Sequence, residues 1–159
     1  MRVGRAADQT GFTYIWALAA LTVFALGLAT LGPQFSLEAQ RERERELLRI
    51  GQLYAEALAS YYRASPGSLK RYPNQLELLL EDPRFVGTVR HLRQLYPDPL
   101  QPQRPWGLLR DADGGIRGVY STDVRQPLRS APLQLGSVVL PPARHYFEWQ
   151  FVSSNVSAP

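Results

Sequence analysis

The chain has 159 residues, with 18 basic against 14 acidic side chains for a net charge of +4, and no cysteine. The missing thiols exclude disulfides, cysteine nucleophiles and cysteine metal sites while leaving the compartment open. All basic residues but Lys70 are arginine, scattered among acids, so no basic block interleaved with aromatics points to a nucleic-acid partner.

Residues 1–11 form a polar leader with Arg2 and Arg5 against Asp8, and residues 12–32 (FTYIWALAALTVFALGLATLG) follow without a single charge. As a helix this run measures about 31 Å, the hydrocarbon thickness of a bilayer, and it is therefore expected to cross a membrane once. Positive charge ahead of it holds that end in the cytoplasm, which puts the residues after Pro33 outside. An ordinary secretory signal has a shorter apolar part, about 7 to 15 residues, ending at small residues. Gly27-Leu28-Ala29 is the site such cleavage would use.

The front edge of the run is Gly11-Phe12-Thr13-Tyr14-Ile15, and its far edge is Pro33-Gln34-Phe35. The first resembles the type IV prepilin signal of pilins and of type II secretion pseudopilins, usually G-F-T-L-I-E. The second resembles the P-Q-Y that pilins often show at the same distance. The resemblance implies that a membrane aspartyl peptidase, the prepilin peptidase, cuts between Gly11 and Phe12 and methylates the new amino-terminal phenylalanine. Glycine suits that place because its backbone can enter a crowded cleft in an extended form. Thr13, Ile15 and Trp16 then belong to a helix core that packs subunit on subunit, with Pro33 predicting a kink or local unwinding of the helix where it leaves the membrane. Pilins carry a glutamate at the fifth mature position, where it pairs with a neighbour's amino terminus. Here Trp16 stands instead, so the subunit is expected to pack differently from a major filament subunit; with Tyr14 it also suits a membrane-interface anchor.

Residues 34–64 continue as helix. Arginine and glutamate alternate over 41–46, with opposite charges three apart, as on a solvated helix face. Leu47, Ile50, Tyr54, Leu58 and Tyr61 then recur at spacings of three and four, an apolar stripe that needs a partner surface. Ser65-Pro66-Gly67 ends the helix.

Residues 72–83 read as a short helix bracketed by Pro73 and Pro83, and 88–95 as a second helical piece. Tyr96-Pro97-Asp98-Pro99 is extended or turned. Tyr72, Pro73, Leu76, Leu79, then Leu95, Pro97, Asp98, Pro99 and Trp106-Gly107 resemble a pseudopilin pattern and favour type II secretion over a pilus. Residues 106–110 and 116–121 flank the turn-rich 111–115 and predict a hairpin. The proline-rich 126–142 reads mainly as loop, with one strand within 133–140. Phe147, Trp149 and Phe151 alternate with polar residues as in a final strand with one buried face, and 153–159 reads as a tail.

Chemistry is sparse. His91 and His145 are too far apart in sequence for a helix-borne metal pair and read as surface or packing residues. No serine has a nucleophile-elbow context and no phosphate-binding glycine loop exists, so catalysis is not expected. Asp111, Asp113 and Asp123 are the candidate calcium ligands, against a hairpin turn capped by aspartates. The major pseudopilin's acidic, glycine-rich loop is replaced here by Val124-Arg125-Gln126-Pro127.

The expected fold class is α+β and pilin-like: a long N-terminal helix, membrane half plus amphipathic half, packed on a small antiparallel sheet of 3-4 strands. The domains are a leader at 1–11, a transmembrane and filament-core helix at 12–32, and a periplasmic domain at 33–159. By resemblance, the partners are prepilin peptidase, other pseudopilins in a homo- or hetero-oligomeric filament, the inner-membrane assembly platform and membrane lipid. The alternatives are a minor type IV pilin, a single-pass anchored periplasmic binding module with an uncut leader, and a secreted protein cut near Ala29.

Overall fold

The computed structural model describes residues 10–153, leaving aside the side chains of 10–12 and 25–36. The chain is α+β and divides into two compact units, Met1–Gln40 and Arg41–Pro159. Helix α1 runs Thr10–Arg63, 54 residues. Its helical backbone continues through Pro33, where the sequence predicts a kink or unwinding; no unwinding occurs. Proline accepts helical φ, and its missing donor costs one hydrogen bond of a long ladder. Among the described residues no helix is long and apolar enough to cross a membrane, and the span read at 12–32 falls partly on side chains outside them.

In the second unit α1 ends as the sequence requires. Gly67 takes a positive φ of 76°, and Lys70 Nζ donates to the carbonyls of Arg63 (3.0 Å) and Ser65 (2.8 Å), satisfying groups that the helix leaves open. Five short strands follow: β1 Gly107–Arg110, β2 Ile116–Tyr120, β3 Leu133–Leu135, β4 Val138–Leu140 and β5 Gln150–Val152. Strands β1, β2 and β5 form an antiparallel sheet with β2 central, and β3 and β4 form a separate ribbon. The β1–β2 hairpin lies where the turn residues place it, with a register irregularity between Leu109 and Arg110.

The stripe on α1 finds its partner surface here. Leu47, Tyr54 and Leu58 are buried together with Ile116 and Val119 of β2, Phe151 of β5 and Trp149. Ile116 and Val119 are three apart rather than two, because the register irregularity of the β1–β2 pair leaves Arg117 unpaired and shifts the strand's alternation, and both join the i, i+3, i+4 stripe of α1 in one core. Gly51 interrupts the stripe because the Phe151 ring occupies the space a Cβ would need.

Four sequence expectations need correction. Residues 72–83 hold only a 3-10 turn at Leu76–Leu79, and 88–95 hold no helix. The backbone groups that helices would use are engaged elsewhere: His91 N and Leu92 N both donate to Leu79 O at 2.9 Å, and Asp82 N donates to Val89 O at 2.9 Å. The single strand read at 133–140 is two strands, since Gly136 (φ 57°) turns the chain back on itself. The final strand is shorter than its alternation implies. Tyr146–Glu148 is a 3-10 turn, held by Tyr146 N on Arg125 O (3.1 Å) and Phe147 N on Asp123 O (3.2 Å). Phe147 is consequently 39% exposed while Tyr146 takes the buried place.

Candidate functional site

Apart from Pro33, the residues singled out for processing and assembly share the first turns of α1. Gly11 and Phe12 lie in its helical backbone, and the Phe12 side chain is outside the described residues, as is that of Pro33. Thr13, Ile15 and Trp16 are exposed, Trp16 to 64%. Tyr14, Ile15, Trp16, Leu18, Leu21, Val23 and Phe24 are all exposed within the first unit. At about 100° per residue these positions cover the whole circumference of the helix, so no face is left for water. Such a cylinder is matched by lipid or by other apolar helices. Thr22 hides its hydroxyl on Leu18 O at 2.8 Å, one turn back, which removes a polar group from that surface.

The second unit is organised by buried carboxylates. Glu44, 2% exposed, accepts the Leu128 amide and the Tyr146 hydroxyl, both at 2.8 Å, and lies 3.3 Å from Arg129 Nε. Sequence reading set it on the solvated run 41–46. The signal against that is its place three residues before Leu47 and seven before Gly51, on the stripe continued back by one turn.

Asp82 is gripped by Arg84, with Oδ2 2.6 Å from Nη2 and Oδ1 2.8 Å from Nε. That hydrogen bonding, against the opposing effect of burial, lowers its pKa from 3.8 to about 2. Arg84 also donates to Ser65 Oγ and Tyr61 O, and its guanidinium lies 3.6 Å from the centre of the Tyr61 ring. His91 bridges Asp82 Oδ2 (3.2 Å) and Ser60 Oγ (2.8 Å). Serine, histidine and aspartate are therefore in line, but the aspartate charge is already engaged by Arg84, and the chain of bonds fastens the 82–91 loop to α1. Tyr54 acts similarly on the next loop, exchanging hydrogen bonds with Tyr96 O and N; burial pushes its hydroxyl up to about 12.

The Tyr72-to-Trp106 pattern also receives concrete roles. Pro73 O accepts the Ile116 amide at 2.7 Å, Asp98 accepts from Leu100 N (2.9 Å) and Ser121 Oγ (2.6 Å), and Trp106 Nε1 donates to Tyr96 O at 2.8 Å. These residues tie the irregular middle of the chain to the sheet and the helix.

Two of the three calcium candidates, Asp111 and Asp123, have carboxylates with described partners. Asp111 Oδ1 accepts the amides of Asp113 (3.1 Å) and Gly115 (2.7 Å) and closes the β1–β2 turn. Asp123 is buried and paired with Arg125 at 2.6 Å; burial raises its pKa, and the Arg125 hydrogen bonds outweigh this and leave it lowered. Among the described residues no group of three or more histidine or acidic side chains could hold a metal ion. His145 stacks on Phe147 at 5.2 Å.

No family model matches the chain, and no curated protein or solved structure matches it.

Proposed function

We propose that the chain is a pseudopilin subunit of a type II protein secretion system. The observation that carries this reading is the junction at Gly11-Phe12-Thr13, where a polar leader meets a helix that is apolar on every side through Phe24. Prepilin peptidase cuts after Gly11 and methylates Phe12. The subunit waits in the inner membrane with its leader in the cytoplasm and residues 33–159 in the periplasm. The assembly platform then draws it into a short filament with other pseudopilins. Its action is mechanical: lipid contacts of the apolar segment are exchanged for contacts between helices, with a motor supplying the remaining free energy. Trp16 gives this subunit a bulky apolar contact where a major subunit pairs charges, consistent with a minor place in the filament.

The mass of the purified protein tests the reading. Loss of the first 11 residues with one added methyl group is expected. An intact chain supports an anchored binding module instead, and loss of about 29 residues a secreted protein cut near Ala29. Replacing Gly11 by a bulky residue should block processing; unchanged processing sinks the proposal. If cleavage occurs as expected, deletion of the gene separates the two systems, abolishing secretion for a pseudopilin and pili for a minor pilin.

A further inference from the structure

On the second unit, Arg41 and Arg45 stand one turn apart on α1 and, with Arg129 from the 126–132 segment, line a cleft of about 350 Å³ together with Glu44 and Leu128. Like charges at i, i+4 oppose helix formation, and a third cation beside them adds to the repulsion. Two carboxylates are near. Glu44 is buried and fully engaged by the Leu128 amide, the Tyr146 hydroxyl and Arg129 Nε. Glu42 meets Arg45 Nη1 at 3.1 Å on the exposed helix surface, where such a pair is weak. Glu44 therefore acts as a brace: it holds Arg129 by Nε at the cleft. Guanidinium groups are planar forks suited to the paired oxygens of a phosphate.

We propose that Arg41, Arg45 and Arg129 form a binding site for a phosphate group, either the headgroup of an acidic phospholipid or a free phosphate anion. With Arg45 paired to Glu42 and Arg129 to Glu44, the three cations and two carboxylates leave one net positive charge at the cleft for a bound phosphate to meet. The headgroup is the source the chain itself favours. Arg41 follows the uncharged run by only nine residues in the sequence. This choice of source rests on the membrane reading of residues 12–32; the phosphate site does not.

The test uses the full chain in a nonionic detergent, titrated with inorganic phosphate while the arginine Nε–Hε NMR signals are followed. A saturable shift at Arg129 is expected, at least tenfold weaker in the R41Q/R45Q variant, whose two altered side chains are exposed and leave the Glu44 contacts intact. R129Q should lose the site as well. The second arm places the protein in phosphatidylcholine bicelles with and without phosphatidylglycerol. Competition by phosphatidylglycerol supports the site with a headgroup as its ligand, and phosphate binding without competition supports it with a free anion. No saturable shift with either probe, or an unchanged affinity in R41Q/R45Q, overturns the site. So does a shift that appears only as the protein concentration rises, which would make the cleft a contact between copies. The phosphate arm reads the same whether or not residues 1–11 are removed, so failure here and failure of the pseudopilin reading are separate results.

Discussion

Two stretches of α1, residues 13–24 and 44–61, are both rich in apolar side chains, yet they meet the burial problem in opposite ways. In the second, apolar residues keep to one face and are covered by β2, β5 and Trp149. In the first they point in every direction and remain exposed. A stripe can be completed by one small sheet, whereas a full cylinder needs surroundings on all sides. The contrast extends to single residues. Trp16, a large aromatic ring, is 64% exposed, whereas Glu44, a carboxylate on the face where leucine and tyrosine dominate, is 2% exposed. The second unit thus covers its apolar face with its own chain, while the described apolar side chains of the first are left exposed.

The sharpest test is one substitution made in both stretches. Leu58 has no exposed surface, so Leu58→Ala should cost about 2–5 kcal/mol in urea unfolding of the full chain followed by tryptophan fluorescence. A cost below about 1 kcal/mol would break the claim that this stretch is core. Next, Glu44→Ala leaves the Tyr146 hydroxyl and the Leu128 amide without their acceptor and should cost about 2 kcal/mol by the same measurement.

A pH titration probes the buried grip on the 82–91 loop. The Asp82 carboxyl is lowered from 3.8 to about 2 in the folded protein. A depressed folded value means that its contribution is complete above the unfolded value and is lost as pH falls through the folded one. Stability should therefore decline between about pH 4 and pH 2, and Asp82→Asn should flatten that decline. The smallest effect belongs to the first stretch: Leu21→Ala, at a residue 69% exposed, should shift unfolding of the second unit by less than about 0.5 kcal/mol. On the proposed filament reading, the same variant should reduce cross-linking between subunits. A large loss of stability would mean that residue 21 is covered within its own chain.

Local chemistry made much of this protein legible without a structure. The uncharged run of 12–32 declares itself by composition, the stripe from Leu47 to Tyr61 by period, the helix end by Ser65-Pro66-Gly67, and the β1–β2 hairpin by its aspartates and glycines. These signals depend on neighbours a few residues apart, which is the range over which helix period, turn geometry and caps operate. What lay beyond that range was decided by distant partners. Residues 72–95 look helical by their prolines and leucines, but the amides of residues 82, 91 and 92 find carbonyls across the loop. Phe147 alternates with Trp149 and Phe151, but a tertiary hold on Tyr146 and Phe147 turns the chain one step before the strand begins. Glu44 reads as a solvated charge until Leu128, Arg129 and Tyr146 are brought to it from more than eighty residues away. Sequence alone determined where the chain is apolar, where it is periodic and where it must turn. Only the tertiary structure decided which polar groups are buried, because the cost of burying a charge is set by donors that chain order does not reveal.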